Sequence, residues 1–118
     1  MLRYHTTTDG QVIAEILPGS EIISEPGDIL DLMVEAGYGG SNKIIVHKET
    51  LHPDFFDLKT KLAGEILQKF SNYRMQLAIV GDFSGVKSKS LNDFIRESNK
   101  RGIISFISSL ETALEMEG

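Results

Sequence analysis

The pattern of apolar and polar positions along the chain predicts five β-strands. Strands are favoured where apolar and β-branched residues alternate or run together over roughly four to eight positions. The segments with this character are 2–7, 11–17, 43–47, 75–81 and 102–107. The segment 75–81, MQLAIVG, is almost wholly apolar, as expected of a strand that is covered on both faces. Asp9 and Gly10 favour a hairpin turn between the first two strands.

A short helix and a long helix are predicted on either side of the third strand. The short helix fits 28–36 and ends at Gly37, since glycine commonly ends helices. The long helix enters at Pro53, Asp54 or Asp57, each of which suits a helix start. At about 100° per residue, its apolar positions fall on one broad arc. These positions are Leu58, Leu62, Ala63, Ile66, Leu67, Phe70 and Tyr73.

The side opposite that arc is predicted to face solvent. Asp57, Lys61, Glu65 and Lys69 would form a ladder of alternating charge there, four residues apart along the helix. A ladder of this kind is typical of a solvated helix face.

Two capping patterns predict the last two helices. Ser90 with Asp93, and Ser108 with Glu111, have the spacing of a capping box. Strands and helices therefore alternate from the third strand onward, which implies right-handed crossovers and mostly parallel pairing. We expect a single α/β domain over residues 1–118, with a mixed, mostly parallel sheet, an N-terminal hairpin and about four helices.

Composition limits the classes of function. The chain has 118 residues, of which 41% are hydrophobic and 25% charged, as is ordinary for a soluble globular protein. Its net charge of -5 disfavours general nucleic-acid binding, which needs a basic face. The absence of cysteine excludes disulfides and thiolate chemistry. No apolar run approaches the roughly 20 residues of a membrane span, and the N-terminus lacks a signal-peptide pattern. We therefore expect a cytoplasmic protein without membrane contacts or a cofactor.

Candidate binding residues follow two neighbouring strands of the predicted sheet, at the point where each strand ends. In open α/β sheets, ligands and partners gather at the carboxyl ends of the strands. The loops after 43–47 and 75–81 supply the candidates for binding a partner or a ligand: Asp57, Lys59, Thr60, Lys61, Asp82, Ser84, Ser88 and Lys89.

Lys59 is the least expected of these candidates, because ideal geometry places it within the apolar arc, in the first turn of the long helix. In one interpretation its stem packs on apolar neighbours while its ammonium group reaches water. In the other, its charge is held at a site for a partner or an anion.

Other chemistries have weaker support in the sequence. His47, His52, Asp54 and Asp57 carry metal-ligating groups, but their spacing matches no known motif, and no metal is expected. The loop 81–90, GDFSGVKSKS, could hold a phosphate before a helix N-terminus. It lacks the spacing of a phosphate-binding loop, so an ordinary capped loop is favoured. No nucleophile–base pair is visible, and an enzyme is therefore not expected.

Three blocks of the sequence, DFFDLKTKLAGEILQKFSNYRMQLAIVGDFS, SKSLNDFIRESN and SSLETAL, resemble a small bacterial domain family of unknown function. The resemblance covers nearly the whole chain. More distantly, the layout resembles the STAS fold, which is shared by anti-sigma-factor antagonists and the cytoplasmic tails of sulfate transporters. In those antagonists, a serine in a D-S-S-G-like helix start is phosphorylated by a partner kinase. Here Asp57 matches the aspartate, whereas Leu58 and Lys59 stand where the serines would be, and Thr60 is the nearby hydroxyl.

The resemblance implies a non-catalytic regulatory module that docks a protein partner through its strand-end edge. The alternative is a small-ligand site at the same edge, for a nucleotide or another phosphate-bearing metabolite. The partner is not identified by the sequence, and a homo-oligomer is compatible with it.

Overall fold

Strands and helices alternate along the chain in the order that the hydrophobic pattern predicts. The computed structural model describes residues 2–115. Within that range the elements are β1 (Leu2–Thr6), β2 (Val12–Ile16), α1 (Pro26–Tyr38), β3 (Lys43–His47), α2 (Leu62–Asn72), β4 (Gln76–Val80), α3 (Lys89–Arg101), β5 (Ile104–Ile107) and α4 (Leu110–Glu115). All five predicted strands are confirmed, with bounds that differ by at most two residues at either end.

The strands form a single mixed sheet in which neighbours in sequence are also neighbours in space. The order is β1-β2-β3-β4-β5. The β1–β2 pair is antiparallel, and the remaining pairs are parallel. Gly10 adopts a φ of 88° in the hairpin loop, a conformation that glycine tolerates without a steric cost. The predicted α/β class and mixed, mostly parallel sheet are therefore confirmed.

Each face of the sheet is covered by different helices. One face packs against α1 and α2, and partly buried residues of α3 join the same cluster. Its buried residues from the sheet include Ala14, Ile16, Ile44, Val46, Leu77, Ile79, Ile104 and Phe106. The alternate strand residues face the other way, where Ala113 of α4 packs with Ile13, Ile45, Ala78 and Ile107. Since side chains alternate across a strand, this arrangement explains why β3 and β4 are apolar along nearly their whole length.

The predicted long helix is wrong at its start. Pro53–Phe56 and Leu58–Thr60 are separate 3-10 turns, and α2 begins only at Leu62. Between them, Lys61 adopts a left-handed conformation with a φ of 68°. That residue interrupts helical geometry, so the chain before it does not continue the face of α2. Lys59 therefore lies exposed on a 3-10 turn and not within an apolar helical arc.

Two consequences follow for the predicted faces of that helix. The charge ladder through Asp57 and Lys61 is not formed, because neither residue lies in α2. Leu62, Ala63, Ile66 and Phe70 are buried as predicted. Tyr73, which was placed on the same arc, is the C-cap residue and is 59% exposed.

The other helix ends are shifted by one or two residues. The Ser88 hydroxyl, and not that of Ser90, caps α3 by accepting the backbone N–H three residues on, at 3.2 Å. The Ser109 hydroxyl takes the equivalent place at α4, instead of Ser108. The helix α1 continues through Gly37 instead of ending there.

In residues 2–115, no helix combines the length and apolar character needed to cross a membrane.

Candidate functional site

The predicted site residues that follow β3 are held in a compact turn. A carboxylate oxygen of Asp57 accepts the N–H of Lys59 at 3.2 Å. The Thr60 hydroxyl oxygen lies 2.6 Å from the carbonyl oxygen of Asp54 and 2.8 Å from that of Asp57. The hydroxyl of Thr60 therefore stabilises the turn. Lys59 and Lys61 are both exposed at its surface.

The predicted site residues that follow β4 are also engaged within their own segment. A carboxylate oxygen of Asp82 accepts the N–H of Ser84 at 2.9 Å and its hydroxyl at 2.6 Å. These two bonds hold the pKa of the Asp82 carboxyl below its usual value. Ser88 caps α3, and the ammonium group of Lys89 lies 2.9 Å from a carboxylate oxygen of Asp93. Asp93 therefore pairs with a side chain and does not complete the predicted capping box.

The two loops meet through aromatic residues that were not among the predicted site residues. The ring centroids of Phe56 and Phe83 lie 6.2 Å apart. Phe83 also makes an edge-to-face contact with Phe106 of β5, at 5.1 Å. Phe55 and Phe94 contact Phe106 in turn. Five of the six phenylalanines in the chain thus form one connected cluster, which joins the loops to the core and gives them a fixed support.

Lys48, the first residue after β3, lies against both of these loops. Its Nζ is 5.2 Å from the ring centroid of Phe83 and 6.0 Å from that of Phe56. The same Nζ donates to the carbonyl oxygen of Asp82 at 2.8 Å. A Cβ placed on Gly81 would lie 2.6 Å from the Cβ of Lys48, a distance that real side chains do not adopt. Gly81 is therefore the residue that lets the lysine stem cross the end of β4.

An open groove of about 630 Å³ lies at this edge of the sheet. Most of its walls are apolar, and they include Ile22, Leu51, Phe56, Phe83, Val86 and Leu91. Lys48, Glu49 and His52 supply polar and charged groups to the same lining. Its volume lies within the range of about 300–1,000 Å³ that is usual for binding sites. The groove lies at the edge of the sheet from which the candidate binding residues were chosen, but its walls are other residues.

One sequence feature could have identified this groove. The segments after β3 and β4 contain Phe55, Phe56 and Phe83 among charged and polar residues. Large aromatic residues in loops next to a strand end are unusual unless they pack on the core or contribute to an interface.

A polar cluster that the sequence analysis also missed lies on the face of the sheet that α4 covers. The carboxylate of Glu15, which is only 3% exposed, accepts the Nε2–H groups of His5 at 2.8 Å and of His47 at 2.7 Å. Burial raises the pKa of Glu15, but the hydrogen bonds from His47 and His5 outweigh it and leave that pKa below its usual value. The three side chains come from β2, β1 and β3, so this carboxylate ties the first three strands together.

The metal-ligating side chains considered in the sequence do not converge. His47 binds Glu15, whereas the Nδ1 of His52 accepts the backbone N–H of Asp54 at 3.0 Å. Over residues 2–115, no three histidine, aspartate or glutamate side chains are arranged to hold a metal ion.

Comparison with known proteins identifies a family for this chain. The model of a domain of unknown function, DUF4180, matches residues 8–116. We find no significant match to a curated protein or to a solved structure. Because the family match covers almost the whole chain, this protein belongs to the DUF4180 family, as the resemblance to a family of unknown function predicted.

Proposed function

We propose that this protein is a non-catalytic, STAS-like regulatory module of the bacterial cytoplasm, which docks a protein partner through the carboxyl edge of its sheet. The observation that carries the proposal is the open apolar groove at that edge, with Lys48 in its wall. The consecutive strand order and the packing of α1, α2 and α3 on one face support the STAS-like assignment.

The composition of the groove favours docking of a macromolecule. Ile22, in its wall, is 49% exposed although it is a large apolar residue. Phe56, Phe83 and Val86 of the same lining are partly exposed, so the groove presents apolar surface from several segments of the chain. Lys59 and Lys61, on the turn that follows Phe56 along the chain, are exposed and charged. An apolar centre with a charged surround is the usual organisation of a protein interface.

The arrangement of the 3-10 turn supports docking without a phosphorylated residue at the helix start. The Thr60 hydroxyl, the nearest counterpart of the phosphorylated serine in anti-sigma-factor antagonists, lies within hydrogen-bond distance of two carbonyl oxygens of its own turn. Phosphorylation of Thr60 would break the hydrogen bond that its hydroxyl donates within the turn and would destabilise the turn.

The proposal is tested by capture from the native host with two matched surface variants. Ile22→Glu places a charge in the groove wall, whereas Val34→Glu changes a residue of similar exposure, 53%, on α1 outside the groove. We expect one specific protein to be retained equally by wild type and Val34→Glu. Its recovery with Ile22→Glu should fall by about tenfold or more, since a buried unpaired charge opposes binding.

The same experiment includes Lys59→Glu, which reverses an exposed charge on the turn after Phe56 and should weaken capture without changing the melting temperature. Thermal unfolding of each variant establishes that it is folded. Equal recovery with wild type and Ile22→Glu would contradict the proposed surface, as would the absence of any specifically retained protein.

A small-ligand site at the same edge is the second candidate. The volume of the groove and the single ammonium group of Lys48 among apolar walls favour it. A nucleotide or another phosphate-bearing metabolite that binds the native state should raise the melting temperature as its concentration increases. If no nucleotide at millimolar concentration shifts the melting temperature, this candidate is refuted for that class of ligand.

A further inference from the structure

Lys48 is built into the wall of the groove. Its stem crosses the space left by Gly81, and its Nζ lies near the rings of Phe56 and Phe83. An ammonium group has three N–H donors. In the part of the chain that the structure describes, the carbonyl oxygen of Asp82 accepts one of them. Within residues 2–115 the Nζ has no second hydrogen-bond acceptor, so its other donors can bind solvent or a group that enters the groove.

An anionic group would gain most from this position. A carboxylate that meets an ammonium group forms a charge-assisted hydrogen bond, which is shorter and stronger than a neutral one. An apolar side chain next to that carboxylate would at the same time cover the rings of Phe56 and Phe83. The groove thus provides an apolar surface and a cation side by side.

We propose that the segment of the partner that fills this groove carries an acidic residue beside one or two large apolar residues. The acidic side chain binds Lys48, and the apolar side chains pack on Phe56 and Phe83. This inference rests on the proposed function, because it specifies the chemistry of the partner at that docking surface.

Glu49 supplies a charge of the opposite sign to the same lining. Substitutions of Glu49 and of Lys48 should therefore have opposite effects on the binding of an acidic segment. Glu49 is exposed, whereas Lys48 is partly buried. The Asp82 carboxylate, whose pKa is lowered by the hydrogen bonds from Ser84 and by the charge of Lys48, is exposed as well. Solvent and salt screen an exposed charge more than a partly buried one, so Lys48 should dominate both carboxylates. Glu49→Gln should therefore strengthen binding of an acidic segment, whereas Lys48→Met should weaken it. A basic segment would show the opposite signs.

The test is a selection of random twelve-residue peptides on the full chain, followed by affinity measurements with synthetic peptides. We expect the enriched peptides to share an aspartate or glutamate near leucine, isoleucine or phenylalanine. Replacing that acidic residue by its amide should weaken binding to wild type by about tenfold, which matches the loss of one charge-assisted hydrogen bond. The same replacement should change binding to Lys48→Met by less than about twofold.

The outcomes separate this inference from the proposed function. Peptides that lose affinity for Ile22→Glu but not for Val34→Glu, and that bind wild type and Lys48→Met equally, would refute the acidic segment and leave the docking surface standing. Weaker binding to Glu49→Gln would refute it as well. Peptides that bind Ile22→Glu as well as wild type, or a selection without enrichment, would contradict both. The amide substitution in the peptide leaves the protein unchanged, so its result does not depend on the folding of a variant.

Discussion

Replacing Glu15 by glutamine tests the buried contact that joins the first three strands. The carboxylate of Glu15 is 3% exposed and accepts from His5 and His47 at 2.8 and 2.7 Å. Glutamine has nearly the same shape, but one of its two polar atoms is a donor and would face an imidazole N–H. One charge-assisted hydrogen bond is therefore lost, and a second one is weakened.

The magnitude follows from that loss. A hydrogen bond to a charged group contributes about 1.5–3 kcal/mol to stability. Glutamine is neutral and avoids the cost of burying a charge, which offsets part of that loss. We expect Glu15→Gln to lower the free energy of unfolding by about 1–3 kcal/mol at pH 7. For a chain of this size, that corresponds to a decrease in melting temperature of about 4–12 °C. The lower end of both ranges applies if one imidazole changes its tautomer and accepts a hydrogen bond from the amide N–H of the new glutamine.

The difference in the free energy of unfolding between wild type and Glu15→Gln should also depend on pH. The pKa of Glu15 in the folded state lies below its ordinary value of 4.5, so the unfolded state binds the proton more readily. The stability that this group contributes is complete above pH 4.5 and is lost as the pH falls through the folded pKa. The gap in stability between wild type and Glu15→Gln should therefore narrow as the pH falls from 4.5 through the folded pKa of Glu15.

Thermal unfolding followed by circular dichroism, at a series of pH values from neutral to strongly acidic, measures both effects. Glu97→Gln, at an exposed position of α3, is the matched control and should melt like wild type at neutral pH. The reasoning is refuted if Glu15→Gln melts within about 1 °C of wild type at pH 7. It is also refuted if the gap in stability widens as the pH falls from 4.5 through the folded pKa of Glu15.

Two further substitution pairs test the local structure by urea unfolding. Gly81→Ala should destabilise the protein by about 1–3 kcal/mol, because the added Cβ collides with Lys48. Gly64→Ala, in α2 with open space around it, should stabilise it by about 0.5–1 kcal/mol; equal effects of the two would contradict the packing of Lys48. Ser88→Ala should cost about 1 kcal/mol through loss of the α3 cap, and Ser90→Ala less than about 0.5 kcal/mol. The reverse order would place the cap at Ser90.

The strands and their pairing were predictable because the sheet is covered on both faces. Residues 76–80 of β4 are apolar apart from Gln76, so both faces of this strand are apolar. This pattern is typical of a central strand that is covered on both sides. Alternating elements then leave parallel pairing with right-handed crossovers as the simplest topology.

The start of α2 was not predictable from the same periodicity. Pro53, Asp54 and Asp57 each suit a helix N-terminus, and a projection at about 100° per residue assumes an unbroken helix. The break comes from Lys61 at positive φ and from the Thr60 hydroxyl, which holds the preceding turn closed. Neither feature has a signature in the hydrophobic pattern.

The candidate binding residues were chosen from the edge that carries the groove, but they do not form its walls. The rule that strand ends gather ligands selects loops, and within those loops the charged and hydroxyl residues were selected. The groove depends instead on contacts between segments that are distant in sequence, such as Phe56 with Phe83 and Lys48 with Asp82. The Glu15 cluster likewise depends on strand register, which brings His5 and His47 to the same carboxylate.

Hydrogen exchange of the protein alone and in complex with the protein captured from its host tests the docking surface most directly. We expect slower exchange on binding in two segments, 48–56 and 82–91, which supply most of the groove. The outer face of α1, around Val34, should exchange at the same rate in both states. Protection confined to α1 or to the hairpin of β1 and β2, with no change in the two groove segments, would contradict the proposed docking surface.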